Sequence, residues 1–128
     1  MKKRQKRGDR YLYFLLYSMF IFVILIGNLN PLRSIQFEDA TPGQDLEVRV
    51  SIVNELGRDL ENVRLRAMGL DIDTFDARGT IDIDGKDSTT KYIYLPIPKY
   101  TAPGDYYVKF TLSHKDFRRV KYREIRVV

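Results

Sequence analysis

Two runs of alternating aspartates, at residues 71–76 and 82–87, are the part of this chain best suited to chemistry. Carboxylates at alternate positions followed by a glycine are typical of loops in which hard oxygen ligands bind calcium. The spacing differs from that of an EF-hand, because Gly85 follows the second aspartate directly and Lys86 places a cation in the loop. The alternative is a hairpin turn at Asp84-Gly85, with the other aspartates on a solvated face. The candidate calcium ligands are Asp82, Asp84 and Asp87.

A second group of candidate residues is basic and lies in the last predicted strand. Basic side chains beside aromatic residues can bind nucleic acid or another anionic polymer. An exported domain does not meet nucleic acid, which leaves an anionic glycan, a lipid head group or an acidic partner surface. The alternative is an edge strand whose outward charges prevent aggregation. We call these residues the interaction strip; its members are Lys115, Arg118, Arg119, Lys121, Arg123 and Arg126.

Other residues with catalytic or binding chemistry give weaker signals. The chain has no cysteine and a single histidine, His114, which excludes a thiolate nucleophile, a disulfide and a multi-histidine metal site. We predict that His114 is a surface residue beside a turn. We predict no enzyme and no cofactor, although a carboxylate pair such as Asp71 and Asp73 has the chemistry of a general acid and base. Four tyrosines could stack on a carbohydrate or simply pack on a sheet, namely Tyr92, Tyr94, Tyr100 and Tyr107.

The net positive charge of the chain arises from its first ten residues. Six of them are lysine or arginine and one is aspartate, which accounts for the whole formal net charge of +5. Residues 11–29 carry no charged side chain, and about 20 apolar residues suffice for a helix that spans a bilayer. The positive-inside rule then places the N-terminus in the cytoplasm and the chain after Pro31 outside it. The sequence therefore predicts a single-pass cell-membrane protein with a basic cytoplasmic tail (1–10), a transmembrane helix (11–29) and a short linker (30–34).

Two kinds of processing are alternatives to this anchor. A cleaved signal peptide has the same order of basic and apolar residues, but residues 26–30 lack a small-residue cleavage site and the apolar run is long. Prepilin-like cleavage after Gly8 would leave the charged Asp9 and Arg10 at the start of the product. The signal anchor is favoured over both.

From residue 35 to residue 128 the hydrophobic period changes to two, which is typical of strands with one buried face. The pattern predicts about seven short strands separated by turns, and hence an all-β antiparallel sandwich. One turn is predicted at Ala77-Arg78-Gly79 and a bulge near Glu124, where the apolar residues of the last strand change face. The apolar residues that alternate are Leu46, Val48, Val50 and Ile52, then Val63, Leu65 and Ala67, Ile81 and Ile83, and Tyr106, Val108, Phe110 and Leu112.

The order of these segments resembles the Ig-like modules called CARDB domains, and their relatives in archaeal surface-layer proteins. The residues that carry the resemblance are Pro42-Gly43-Gln44 before the first long strand, Asn62-Val63 and Leu65, Leu95-Pro96-Ile97-Pro98, and Pro103-Gly104-Asp105 before Tyr106. The resemblance covers residues 34–128 and implies an Ig-like sandwich with a display, adhesion or assembly role. A proline-glycine turn before Tyr106 also predicts a tyrosine corner, in which the hydroxyl bonds to nearby backbone.

The sequence as a whole predicts a membrane-anchored extracytoplasmic Ig-like module for protein–protein interaction or cell-envelope assembly. Its expected partners are the lipid bilayer and another envelope or membrane protein, and no nucleic acid. Opposite charges on the strip and the aspartate runs also permit head-to-tail self-association. The alternatives are a subunit of an envelope machine, such as a stator or a pilus-like assembly, and a carbohydrate- or calcium-dependent adhesin.

Overall fold

The computed structural model describes residues 30–128. The predicted cytoplasmic tail (1–10) and transmembrane helix (11–29) lie outside the described residues. Within 30–128 no helix is long and apolar enough to cross a membrane. Residues 31–128 form one compact unit.

Within residues 30–128, seven strands make two antiparallel sheets. The first sheet has the order β1-β2-β5 and the second the order β4-β3-β6-β7. The predicted all-β sandwich of about seven strands is thus confirmed for the described residues. The strands are β1 (Leu32–Gln36), β2 (Asp45–Val53), β3 (Leu60–Gly69), β4 (Phe75–Ile83), β5 (Ser88–Pro96), β6 (Gly104–His114) and β7 (Phe117–Val127).

The alternating apolar residues of the sequence form the core between the two sheets, as predicted. Val48, Val50 and Ile52 of β2 are completely buried, and Val108 and Phe110 of β6 meet them from the other sheet in one continuous cluster. Burial of this apolar surface is the main favourable term for such a domain. The prediction holds because each of these strands has a single apolar face.

Strand β4 contains no turn, and the predicted turn at residues 77–79 is wrong. The pairing of β3 with β4 shifts by one residue between Val63, opposite Ile81, and Leu65, opposite Arg78. A bulge of this kind inserts one extra residue into one strand, here β4, so that inward and outward positions exchange across it. Phe75 is therefore exposed although Ile81, an even number of residues later, is buried.

The predicted bulge near Glu124 is also absent. Strands β6 and β7 pair without interruption from Gly104 opposite Val127 to His114 opposite Phe117. Alternation therefore continues through the whole of β7. Its two faces both carry apolar residues, which is why the sequence pattern suggested a change of face.

Asp84-Gly85 is not a hairpin turn, because β4 and β5 belong to different sheets. Asn54, which is 1% exposed, stabilises this crossing. Its Nδ2 donates hydrogen bonds to the carbonyl oxygens of Arg58, Ile83 and Asp84 at 2.8, 3.0 and 3.1 Å. Its Oδ1 accepts the Leu56 N–H at 3.0 Å. A single buried side chain thus joins two of the three loops that change sheet, those after β2 and after β4.

The two ends of the sandwich carry different loops, and we name each after one residue. The chain comes into the sandwich at Leu32, which pairs with Ile52, and we call this the Asn54 end. The opposite end is the Val127 end, where Val127 pairs with Gly104 and with Ala40.

The predicted tyrosine corner is present at the Val127 end. The Tyr106 hydroxyl donates a 2.7 Å hydrogen bond to the carbonyl oxygen of Ala102, four residues earlier. The bond holds the turn that precedes β6 against the strand itself.

Candidate functional site

The three candidate calcium ligands serve the backbone instead. Asp82 Oδ1 accepts the Asn62 N–H at 3.0 Å, and Asp87 Oδ1 accepts the Ser88 N–H at 2.8 Å. Asp84 contributes its carbonyl oxygen to the Asn54 side chain. Within residues 30–128 no three histidine or acidic side chains converge on a point where a metal ion could bind. The structure gives no support to the calcium hypothesis.

The other aspartate run lies at the opposite end of β4. Asp71 Oδ1 accepts the backbone N–H of Tyr107 at 3.2 Å, and Asp76 binds backbone on two strands. Asp71 and Asp76 therefore secure the Val127 end, while Asp82 and Asp87 lie towards the Asn54 end. The two aspartate runs therefore do not form a single patch.

The interaction strip is divided between the two faces of β7, because the strand alternates without a bulge. Arg119, Lys121 and Arg123 share the face of Ile125. Lys121 and Arg123 point towards β1 and the residues after it. Lys121 Nζ donates to the Arg33 carbonyl oxygen at 3.3 Å. Arg118 and Arg126 lie on the outer face, and Lys115 is in the turn between β6 and β7.

The inward basic residues lie on an edge strand, as the alternative prediction for the strip required. Strand β7 is the edge of its sheet, and the Arg123 guanidinium lies 5.4 Å from the centre of the Phe37 ring, after β1. Inward-pointing charges on an edge strand oppose pairing with another chain. This half of the strip thus has the arrangement of a protected edge.

The four candidate tyrosines do not form one stacking face. Tyr92 and Tyr94 lie on the outer face of the first sheet, 42% and 43% exposed. Tyr107 is on the second sheet, and Tyr100 is in the loop after β5. The structure therefore separates the residues on which a carbohydrate site was based.

His114 is not the surface residue that the sequence suggested. Its side chain is only 6% exposed, and its ring stacks on Phe117 with 5.1 Å between ring centres. Its Nδ1 accepts the Asp116 N–H at 3.2 Å. The histidine stabilises the β6–β7 turn and faces no nucleophile in the described contacts.

The outer face of the second sheet carries a group of exposed apolar side chains that sequence reasoning missed as a group. Their exposed fractions lie between 46% and 57%. We call this group the aromatic face; its members are Met68, Leu70, Phe75, Tyr107 and Tyr122. Contiguous exposed apolar surface on a soluble domain often marks a contact with another molecule.

Strand register brings the members of the aromatic face together. Met68 is directly opposite Phe75 on one side and Lys109 on the other, and Lys109 is opposite Tyr122. These four residues form one row across all four strands. The Leu70 N–H bonds to the Tyr107 carbonyl oxygen at 3.0 Å, which places that pair beside the row, nearer the Val127 end.

Arginines flank this row on the side of the Asn54 end. Arg66 lies in the next row, opposite Ala77 and Thr111. Arg64 and Arg118 lie in the row after that, each opposite Ser113. Arg126 is further away and forms an ion pair with Asp105, with 3.4 Å between nitrogen and oxygen.

Acidic residues collect at the other border of the aromatic face. An open depression of about 390 Å³ is lined there by Phe37, Glu38, Asp39, Asp105, Glu124 and Arg126. The outer surface therefore changes from basic, through apolar, to acidic along the strands. The alternation of β3 contains the signal for the basic and apolar parts, since Arg64, Arg66 and Met68 occupy the positions between buried residues.

No protein-family model and no curated protein matches the chain. Among solved structures, a FixG-related protein from Vibrio parahaemolyticus is 15% identical with a TM-score of 0.59, over 77% of this chain and 98% of that one. A family 123 glycoside hydrolase from Clostridium perfringens, studied for glycolipid glycan hydrolysis, is 12% identical with a TM-score of 0.55 over 70% of this chain. The chain spans only 22% of the length of that hydrolase. Likeness at these identities shows the fold alone.

Proposed function

We propose that this chain is a membrane-anchored, extracytoplasmic β-sandwich of the Ig-like type that binds another envelope or membrane protein. The observation that carries the proposal is the aromatic face, a group of five exposed aliphatic and aromatic side chains on a sheet whose other face already supplies the core. The charge-free run at 11–29 and the basic residues before it support the anchor and its direction. Resemblance to CARDB modules supports the Ig-like assignment.

A non-enzymatic role fits the chemistry of the described side chains. The carboxylates of Asp71, Asp76, Asp82 and Asp87 accept backbone hydrogen bonds, and His114 is stacked on Phe117. These groups therefore act in structure. A binding module needs only its surface, and a rigid sandwich holds such a surface in a fixed shape.

A subunit of an envelope machine is the second candidate function. This candidate differs from the first only in that the partner protein is bound permanently. The aromatic face is the observation that favours it. An adhesin that binds calcium or carbohydrate has less support, because the aspartates bond to backbone and the tyrosines are divided between the sheets.

The absence of cysteine makes the topology directly testable. Single cysteines can be introduced as Gln5→Cys in the basic tail and as Tyr100→Cys in the sandwich, where Tyr100 is 91% exposed. We expect a membrane-impermeant maleimide to label Tyr100→Cys alone in intact cells. Spheroplasts are used instead where an outer layer of the cell blocks the maleimide from reaching the membrane. After lysis both variants should be labelled. Equal labelling before lysis, the reverse pattern, or recovery of the chain in the soluble fraction would contradict the proposal.

A further inference from the structure

The aromatic face and the arginine rows beside it form one surface with a definite polarity. Phe75, Met68 and Tyr122 provide apolar contact area, with Lys109 inside the row. Arg66, Arg64 and Arg118 follow on the side of the Asn54 end. Interfaces that bind specifically combine aromatic anchors with arginine in this way.

We propose that this surface binds an acidic protein segment with exposed apolar side chains, so oriented that its carboxylates meet Arg64, Arg66 and Arg118. The inference rests on the proposed function and names the chemistry of the partner. Charge complementarity carries the choice, because these three rows contain four basic residues and no acidic one on the outer face. Guanidinium groups also suit carboxylates, which they can bind through two parallel hydrogen bonds.

A second copy of the chain is a poorer occupant. Two copies that met through this same surface with their strands parallel would place arginine against arginine, which is unfavourable at an interface. With their strands antiparallel, the arginines would meet the acidic border, where Asp105 is already paired with Arg126. The outer face of the first sheet offers Asp45 and Glu47 but also Arg49, so its charges are mixed. The structure thus favours a different protein.

A lipid surface is also a poorer occupant. An anionic bilayer lying flat against the aromatic face would also meet Glu38, Asp39 and Glu124 at its acidic border, and like charges repel at an interface. A short protein segment can cover the aromatic face and the arginine rows without reaching that border.

The test uses the full chain in nanodiscs of zwitterionic lipid and a synthetic peptide that alternates glutamate with leucine. Fluorescence anisotropy compares it with two matched peptides, in which lysine replaces glutamate or serine replaces leucine. We expect the glutamate–leucine peptide to bind most tightly and its affinity to fall as salt is raised, since surface charges are screened. Equal binding of either matched peptide, or no binding of any, would overturn the proposal.

Variants on both sheets show whether this surface is the site. Arg66→Glu and Phe75→Ser are each expected to weaken binding by about tenfold or more. The matched controls are Arg49→Glu and Tyr92→Ser, which alter a directly opposed arginine–tyrosine pair on the first sheet. An equal loss in the controls would overturn the assignment. Circular dichroism melting of every variant separates lost binding from lost folding.

The other occupants are measured in the same way. Anionic phosphatidylglycerol vesicles and polygalacturonate are tested in place of the peptide. If either binds more tightly than the peptide and Arg66→Glu abolishes that binding, the partner is a lipid or a glycan and the proposal is overturned. If sedimentation shows a dimer that Arg66→Glu dissociates, the partner is a second copy of the chain and the proposal is likewise overturned. A photo-crosslinker at Tyr122 in native membranes should capture an acidic, apolar peptide, and the same group at Tyr92 should not.

The outcome is distinguishable from failure of the proposed function. The peptide measurement reports on the surface alone, whereas maleimide labelling reports on the topology. Correct labelling without peptide binding would leave the membrane-anchored binding module standing and remove only the acidic, apolar chemistry assigned to its partner.

Discussion

The Asp76 carboxylate joins the two sheets, because its Oδ2 accepts the backbone N–H of Tyr94 at 2.8 Å. Asp76 belongs to β4 and Tyr94 to β5, which are edge strands of different sheets. Its Oδ1 also accepts the Ala77 N–H and a bond from Arg78, at 2.9 and 2.8 Å. The Asp76 side chain thus accepts a backbone N–H on the edge of the first sheet, where β5 has no neighbouring strand.

Replacing Asp76 by asparagine should destabilise the domain by about 1–2 kcal/mol, because an amide has one acceptor oxygen and cannot serve both sheets. Urea denaturation followed by circular dichroism measures the change. Asp73→Asn, in the exposed loop before β4, is the control and should change stability by less than about 0.5 kcal/mol. Equal effects of both substitutions would show that the Asp76–Tyr94 bond adds little.

Tyr106→Phe removes only the hydroxyl that bonds to Ala102. We expect a loss of about 1 kcal/mol, the usual net contribution of one such bond. The neighbouring Tyr107→Phe removes an exposed hydroxyl and should be close to neutral. Thermal unfolding of the two variants side by side decides whether the tyrosine corner contributes.

Asn54→Asp keeps the acceptor for the Leu56 N–H but turns a carboxylate towards the carbonyl oxygens of Arg58, Ile83 and Asp84. Leaving buried polar groups unsatisfied costs about 1–3 kcal/mol for each group, so we expect a loss of about 3 kcal/mol. Asn54→Ala removes donors and acceptor together and should also destabilise. Chemical denaturation measures both losses, and an Asn54→Asp variant as stable as the wild type would mean that the donated bonds are dispensable.

Gly69→Ala should be severely destabilising, by about 2–3 kcal/mol, since overpacking forces neighbours to move. An added Cβ there would overlap the Ile72 carbonyl oxygen and lie 2.6 Å from Ile72 Cγ2. Gly57→Ala is the matched control, because a Cβ at that position meets nothing within 4 Å. Differential scanning calorimetry should show a lowered midpoint for Gly69→Ala alone.

The inward basic residues of β7 should protect the chain from aggregation. Replacing Lys121 and Arg123 together by valine removes both charges between β7 and β1 and offers an apolar edge to other chains. We expect light scattering to rise with protein concentration in this variant. The control, Arg118→Val on the outer face, should scatter less; equal scattering would contradict a protective role for the inward pair.

The sequence predicted the elements whose apolar residues occupy a single face. In β2 the alternation of Leu46, Val48, Val50 and Ile52 identified the buried side correctly. It failed in β7, where Val120 and Tyr122 occupy one face and Ile125 and Val127 the other. Periodicity separates the two faces of a strand but does not tell which one meets the other sheet.

Two further errors came from contacts between distant parts of the chain. The residues around Gly79 have turn-forming composition, yet the partner strand β3 pulls them into a bulged strand. Asp84-Gly85 is typical of a hairpin, but Asn54 binds this loop from 30 positions earlier in the sequence and the strands diverge to different sheets. The aromatic face could not be predicted either, because its row exists only once four strands are in register.

The bridge between Ala40 and Val127 has a mechanical consequence. Ala40 donates to the Arg126 carbonyl oxygen at 2.7 Å and accepts the Val128 N–H at 3.0 Å, with the two segments running parallel. Leu32 and Val128 lie at opposite ends of the sandwich. Tension applied between them therefore acts along the strands and loads both bonds together in shear, so they must break at once rather than unzip in turn.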